Sequence, residues 1–280
     1  MRSRTSILVA GLMASVFLTG GCGKSPGEWQ DATPGHLNWE AVEIPEGEAI
    51  PEATPELVAH GERLYNVRCA VCHGHDLDGQ GPASQFLGVK PRDFTSGTFK
   101  FRSLSTSGLP TNEDLFRTIT VGFPSHGMPS FSYLSATDRW ALVHFTKTGF
   151  ARFAQDPPRS PVAPGRAPEP SEARLAQGRE AFEKAQCGKC HGEDGRGFGP
   201  SAAELTDTWG DPIATLDLAS PAIYYKRGAR AEDVMDTLVS GIGGTPMPSY
   251  FESGLTLDEL WSLARYVESL VGTRDQAPGN

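Results

Sequence analysis

Two short stretches of the chain, residues 69–73 and 187–191, each pair two cysteines with a histidine in the order C-x-x-C-H. This order is the attachment signature of c-type haem. The two thiols add to the haem vinyl groups, and the adjacent imidazole reaches the iron from the proximal side. The cysteine pairs lie too far apart for the usual zinc spacing, so a zinc centre is disfavoured. The sequence therefore predicts two covalently bound haem c groups. The attachment residues are Cys69, Cys72, Cys187 and Cys190, and the proximal iron ligands are His73 and His191.

A methionine stands at a matching place after each haem motif. Met128 follows His73 by 55 residues (128 − 73), and Met247 follows His191 by 56 (247 − 191). Both methionines precede Pro-Ser and an aromatic residue. A thioether is a soft ligand for ferrous iron and raises the reduction potential relative to a second histidine. Met128 and Met247 are therefore the predicted distal ligands.

A competing distal ligand is left open in the first half. His126 lies two residues before Met128 and would give a bis-histidine haem of lower potential. Its counterpart in the second half is Thr245, and this difference favours Met128.

The two motifs belong to an internal repeat. Cys69 and Cys187 are 118 residues apart (187 − 69), and the two methionines are 119 apart (247 − 128). Further matches pair residues 79–82 with 197–200, 93–94 with 217–218, and 140–142 with 261–263. A repeat of about 100 residues indicates a duplicated domain.

The start of the chain has the pattern of an export signal. Arg2 and Arg4 precede an apolar run, and residues 18–22, Leu-Thr-Gly-Gly-Cys, resemble a bacterial lipobox. The run is shorter than the ~20 residues that a spanning helix needs. We therefore expect residues 1–21 to be a signal peptide and Cys22 to carry a lipid. The lipid would hold the protein on the periplasmic side of a membrane, and Gly23, which is not aspartate, favours the outer membrane.

The charge of the chain limits its partners. The formal net charge of the 280 residues is −9. An acidic protein binds nucleic acid poorly, so no nucleic acid partner is expected. A redox protein with a basic surface, including a membrane respiratory complex, is the predicted kind of partner.

Helix signals predict an all-α fold with two tandem domains. Apolar spacing predicts helices over residues 55–67 and 172–184, and further helices begin after Thr111 and near Glu232. Capping boxes at Ser135 and Thr256 begin the last helix of each half. The predicted boundaries are 22–54 for a tether, 55–150 for domain one, 151–171 for a Pro-rich linker, 172–271 for domain two and 272–280 for a tail. The linker is expected to be extended and exposed.

Each half resembles a class I cytochrome c. That resemblance implies a crossing of the first and last helices, with a glycine and an aromatic residue at the crossing. Gly61 with Tyr65, and Gly178 with Phe182, match the pattern, and Phe145 and Tyr266 are the expected partners.

The resemblance also implies that a proline carbonyl accepts the second ring N–H of each proximal histidine. Pro82 and Pro200 are the matching prolines, each nine residues after its histidine (82 − 73 and 200 − 191). Four basic residues between the proximal and distal motifs either neutralise haem propionates or are simply solvated. They are Lys100, Arg102, Lys226 and Arg227.

The resemblance implies electron transfer without substrate chemistry, because two six-coordinate irons leave no open position. A haem-bearing subunit of a larger oxidoreductase remains an alternative with the same haem predictions. A dihaem peroxidase or a thiosulfate-oxidising enzyme is a further alternative. A peroxidase would need a weak bond from Met128 and acid–base chemistry at His126. The thiosulfate-oxidising enzymes typically have an unusual iron ligand such as cysteine, and this sequence has no spare cysteine once the haem motifs and Cys22 are assigned.

Overall fold

The computed structural model describes residues 50–103, 108–156, 161–251 and 253–274. Within these ranges the structure is helical, and strand-like pairing is limited to isolated bridges at Phe123–Met128 and Thr206–Pro212. The all-α prediction is confirmed. None of the described helices is long and apolar enough to cross a membrane. The predicted signal peptide, Cys22 and most of the tether lie outside the described residues. The α-helices are α1 (Pro55–Arg68), α2 (Ala70–His73), α3 (Asn112–Val121), α4 (Ala136–Lys147), α5 (Arg152–Gln155), α6 (Glu172–Lys184), α7 (Gly188–His191), α8 (Ala231–Ser240) and α9 (Leu257–Leu270).

A close helix crossing organises each domain: α1 packs on α4, and α6 packs on α9. A Cβ atom at Gly61 would collide with the Ala141 carbonyl, and one at Gly178 would collide with the Ser262 carbonyl. Only glycine therefore permits this approach.

The aromatic residues expected at these crossings are in contact. The ring centroids of Tyr65 and Phe145 lie 5.1 Å apart, and those of Phe182 and Tyr266 lie 5.8 Å apart. The crossing implied by the family resemblance is confirmed in both halves.

Capping residues begin the longer helices where the sequence predicted them. The Thr256 side chain accepts from the Glu259 N–H, and the Glu259 carboxylate accepts from the Thr256 N–H, as a capping box requires. The box predicted at Ser135 is only half formed. Ser135 accepts from the Asp138 N–H, but the Asp138 carboxylate turns instead to His60 Nε2 on α1, at 2.6 Å. Asp138 therefore joins α4 to α1.

The apolar cores of the two domains differ in continuity. Domain two has one cluster that runs from Phe182 through Met235 to Leu260 and Leu263. Domain one has two clusters, one around Phe116 and Trp140 and the other around Tyr65 and Leu142.

The described part of the linker, residues 161–171, is mostly exposed, as the sequence predicts, but hydrogen bonds dock it on both domains. The indole N–H of Trp261 donates to the Pro164 carbonyl and the guanidinium of Arg265 donates to the Pro168 carbonyl, both at 2.8 Å. The Val162 N–H donates to the carbonyl of Ser103 in domain one, also at 2.8 Å. Proline lacks a donor but keeps its carbonyl, so such a segment can bind by its acceptors.

Domain one contacts domain two through an irregular segment, residues 90–103, which contains a turn at 94–97. The Gly243 N–H donates to the Lys100 carbonyl at 2.9 Å, and the Arg92 guanidinium donates to the Gly243 carbonyl at 3.2 Å. Arg92 also lies over the Trp209 ring, 4.8 Å from its centroid. A Cβ at Gly243 would collide with the Phe99 carbonyl, so the two backbones meet here because residue 243 is glycine.

Two candidate haem centres

The helices of domain one enclose a cleft, here named cleft one. Side chains from α1, α3 and α4 line it, and so do Cys69, Cys72, His73 and Met128. Most of the remaining lining consists of aromatic and aliphatic side chains. The four residues that the sequence assigned to the first haem therefore meet in one apolar cleft.

Domain two encloses the matching cleft, named cleft two. Cys187, Cys190, His191 and Met247 line it. The short helix α7 presents the cysteines and histidine, as α2 does in domain one. The structure thus brings together all eight predicted haem residues, four in each cleft, and their roles as attachment sites and ligands remain predictions.

Each proximal histidine is held by a backbone carbonyl. The Nδ1–H of His73 donates to the Arg92 carbonyl at 3.0 Å, and that of His191 donates to the Leu216 carbonyl at the same distance. A carbonyl only accepts, so Nδ1 carries the proton and Nε2 keeps its lone pair for the iron. Burial lowers the pKa of both histidines, which favours the neutral imidazole that a metal requires.

The carbonyl acceptors are not the prolines that the resemblance implied. Pro82 and Pro200 were expected in this role, but Arg92 and Leu216 fill it. The preceding glycine, Gly81, instead packs on the turn of the haem motif, where its N–H donates to the Cys72 carbonyl at 3.1 Å. Gly199 does the same with the Cys190 carbonyl, at 3.1 Å. The Gly-Pro pair therefore supports the attachment helix rather than the imidazole.

The sequence repeat does mark the positions of the two carbonyls that accept from the proximal histidines. Asp93 aligns with Asp217 in the two halves, and the acceptors Arg92 and Leu216 are the residues just before them. A backbone carbonyl needs no particular side chain, so residue types alone did not reveal it.

Two matching loops carry the distal methionines. Distal loop one, residues 122–128, is closed by paired hydrogen bonds between Phe123 and Met128 of 2.7 and 3.1 Å. Distal loop two, residues 241–247, is closed by the Ile242 N–H donating to the Met247 carbonyl at 3.1 Å.

The serine of each Met-Pro-Ser motif fixes its loop to the preceding helix. Ser130 Oγ donates to the Thr120 carbonyl near the end of α3, and Ser249 Oγ donates to the Val239 carbonyl near the end of α8, both at 2.6 Å. The sequence analysis noted these serines as part of a repeat without giving them a role. Their bonds satisfy carbonyls that lack a partner within the helix.

His126 lies between the two clefts. Its side chain lines both cleft one and cleft two, and its Nδ1 is 2.9 Å from Ser125 Oγ. Burial, and then the charges of Lys226 and Lys100, lower the pKa of His126 to about 4. The imidazole is therefore neutral at pH 7.

The residues of both clefts fit a c-type haem. Each cleft offers two thiols, one imidazole with a fixed Nδ1–H, one thioether and an apolar lining. That donor set matches covalent attachment and His/Met ligation. Cleft one is also lined by Lys100 and Lys226, whose ammonium groups suit the haem carboxylates.

Comparisons with known families agree with this geometry. Residues 175–271 match the family model described as cytochrome c. Residues 56–145 match the model described as cytochrome C oxidase, cbb3-type, subunit III. A search of curated protein sequences finds no significant match.

A solved structure gives a longer match. The chain is 38% identical to a chain from Kuenenia stuttgartiensis, in the structure described as reducing HAO-like protein complex Kustc0457/Kustc0458. The match has a TM-score of 0.73 and covers 80% of this chain and 99% of that chain. It therefore spans both candidate haem centres.

Proposed function

Because this chain belongs to the dihaem class I c-type cytochromes, we propose that it transfers electrons between redox protein partners and uses its two haem centres as a short relay. When bound, each haem c takes up and releases one electron at its iron. The observation that carries the relay is that Phe101, His126 and Lys226 line both clefts. The two centres are thus separated by a shared wall of side chains.

The protein side chains prepare each centre for this role. The Arg92 and Leu216 carbonyls fix the proximal imidazoles, and the serine bonds fix the distal loops. Phe94 stacks on the His73 ring at 4.7 Å and helps to exclude water from it. A centre whose ligands are held in place changes little on reduction, and this suits electron transfer better than substrate binding.

A role as a subunit of a larger oxidoreductase is the second candidate. The relative from Kuenenia stuttgartiensis belongs to a structure described as a protein complex, and this chain matches 99% of that chain. In such a complex, the partner subunit would contain the catalytic site, and this chain would deliver electrons to that site or accept electrons from it.

The first experiment separates electron transfer from enzyme activity. The purified holoprotein should be titrated with a reductant under redox control while optical and EPR spectra are recorded. Two reversible one-electron transitions from low-spin centres are expected, with no turnover of hydrogen peroxide or thiosulfate. A high-spin ferric centre that consumes peroxide would instead establish the peroxidase alternative and refute a simple carrier.

The second experiment tests the nature of the partner. Because the net charge is −9, a basic partner should associate faster than an acidic one, and added salt should slow that association. Stopped-flow oxidation of the reduced protein by a basic and by an acidic small cytochrome measures this difference. Equal rates that ignore ionic strength would contradict an acidic docking surface.

The location also remains a proposal. Cys22 carries a diacylglycerol, and the preceding 21 residues direct export to the periplasmic side, where the outer membrane is favoured because residue 23 is glycine. The variant Cys22→Ser should leave the membrane fraction or retain its leader, with Cys22→Ala as a second variant. Unchanged membrane fractionation of both variants would refute lipid anchoring.

A further inference from the structure

Five basic side chains line cleft one; Arg68 and Lys90 are exposed, and the other three are partly buried and come from both domains. Arg92 and Lys100 belong to domain one and Lys226 belongs to domain two, and all three line the cleft. We call them the cation cluster. Each side chain is partly or largely buried, and burial lowers the pKa of each, with that of Lys100 falling to about 7.

The cluster has too little negative charge around it within the described part of the chain. No hydrogen bond or ion pair joins the amino groups of Lys100 and Lys226 to a described residue, and Arg92 leaves Nε and Nη1 unused. Asp207 acts on Arg92 and Lys100 through its charge, and Asp93 acts on Arg92. Both carboxylates already accept backbone hydrogen bonds, Asp207 from Trp209 and Asp211 and Asp93 from Thr95 and Ser96. Gathering like charges in a buried place is costly unless an anion enters.

Cleft two is different because its arginines are already compensated. Arg227 forms an ion pair with Asp236 at 2.7 Å, and Arg274 lies 3.7 Å from Asp217. Lys226 lines this cleft as well, but Arg92 and Lys100 do not. The uncompensated positive charge is therefore concentrated at cleft one.

We infer that the cation cluster binds the propionate carboxylates of the haem in cleft one and makes that haem the higher-potential centre of the pair. Domain two thus completes the haem site of domain one, through Lys226. Oxidation adds a positive charge at the iron, so nearby cations disfavour the oxidised state and raise the potential. Electrons then pass from the centre in cleft two to the centre in cleft one. This inference rests on the proposed function, because it requires a haem in each cleft.

The test is a potentiometric titration of full-length holoprotein with single substitutions. Met247→His, which changes a ligand in cleft two alone, assigns the two transitions. Lys100→Gln should lower the reduction equilibrium constant of the cleft-one haem by about tenfold, which is about 59 mV for one electron, and should change the other haem much less. Lys226→Gln should also lower the cleft-one potential, whereas Lys226→Arg should preserve it.

A surface variant, Lys184→Gln, controls for the loss of one charge. Lys184 is exposed at the end of α6, and its amino group pairs with Glu259 on α9. A wild-type protein in which the cleft-two haem has the higher potential would overturn the inference. So would Lys100→Gln shifts that are equal at both haems or no larger than those of Lys184→Gln. If the wild type shows no reversible one-electron transitions at all, the proposed function itself fails, and the two failures are thereby distinct.

Discussion

Domain one has two apolar clusters joined by the partly buried Phe94 and Ile119, whereas domain two packs one continuous core. Phe99 and Leu115 reach cleft one from the first cluster of domain one, and Tyr65 and Leu142 reach it from the second. In domain two, the single cluster extends well beyond the cleft. We therefore expect domain one to depend more on its cofactor for cohesion than domain two does.

The distal loops differ in a complementary way. Distal loop two is docked on domain one, because Gly243 exchanges hydrogen bonds with Lys100 and Arg92. Distal loop one is closed mainly by its own Phe123–Met128 pairing. Each domain thus contributes to the site of the other. Domain one forms hydrogen bonds to the distal loop of domain two, and Lys226 of domain two lines cleft one.

Removal of haem attachment should give the largest difference between the two domains. The double variant Cys69→Ser/Cys72→Ser leaves an apolar cleft between two small clusters, so domain one should lose most of its helix. Cys187→Ser/Cys190→Ser should leave more helix in domain two. Far-UV circular dichroism together with haem staining of each variant measures the difference. Equal helix loss in the two variants would show that core continuity does not matter.

The distal methionines provide the next largest effect. Met128→Ala and Met247→Ala should each remove about half of the weak sulfur-to-iron absorption band of the ferric protein and lower one potential, because the thioether favours ferrous iron. The matched pair reports whether distal loop one and distal loop two hold their ligands equally. If the band survives intact in Met128→Ala, His126 or another residue is the ligand in cleft one.

The helix crossings should respond alike in both domains. Gly61→Ala and Gly178→Ala each force a Cβ into a backbone carbonyl and should cost about 2 kcal/mol of unfolding free energy, even after the better helix propensity of alanine. Urea unfolding followed by haem absorbance measures this cost. Gly88→Ala is the control, since nothing lies within 4 Å of a Cβ built there. A cost confined to one domain would mean that the crossings are not equivalent.

The smallest effect concerns the side chain that packs on the ring of the proximal histidine. Phe94 stacks on His73 in domain one, and its counterpart in domain two is Leu218. Phe94→Leu makes domain one resemble domain two and should cost about 1 kcal/mol. The reverse variant, Leu218→Phe, tests whether domain two has room for the ring. A loss above about 3 kcal/mol in Phe94→Leu would assign this ring a larger part in the core than its stacking contact implies.

The helices and the haem residues were predictable because both depend on local side-chain identity. Thr111 and Thr256 begin α3 and α9 as their spacing to an acidic residue predicted. The cysteines and histidine of each motif lie next to one another in sequence, so their closeness in space could be predicted without knowing the tertiary fold. At Ser135 the same reasoning was only half right, because tertiary contact with His60 took the Asp138 carboxylate away from its own helix.

The contacts between domains were not predictable because many of them join a side chain to a backbone carbonyl. Arg92 donates to the Gly243 carbonyl and Arg102 donates to the Ser240 carbonyl, and residue types do not reveal which carbonyl will accept. The docking of the linker was missed for the same reason. Its prolines predicted exposure, which most of residues 161–171 show, but not the hydrogen bonds that the Pro164 and Pro168 carbonyls accept from α9.

The docked linker also changes how strong the domain interface has to be. Because one chain carries both domains, each domain meets the other at an effective concentration that the linker sets, whatever the concentration of the protein itself. The contacts between the domains therefore need less free energy to stay formed than the same surfaces would need on two separate chains. The proline-bearing linker therefore reduces the entropy that the domains lose on docking, so that a weak interface stays formed.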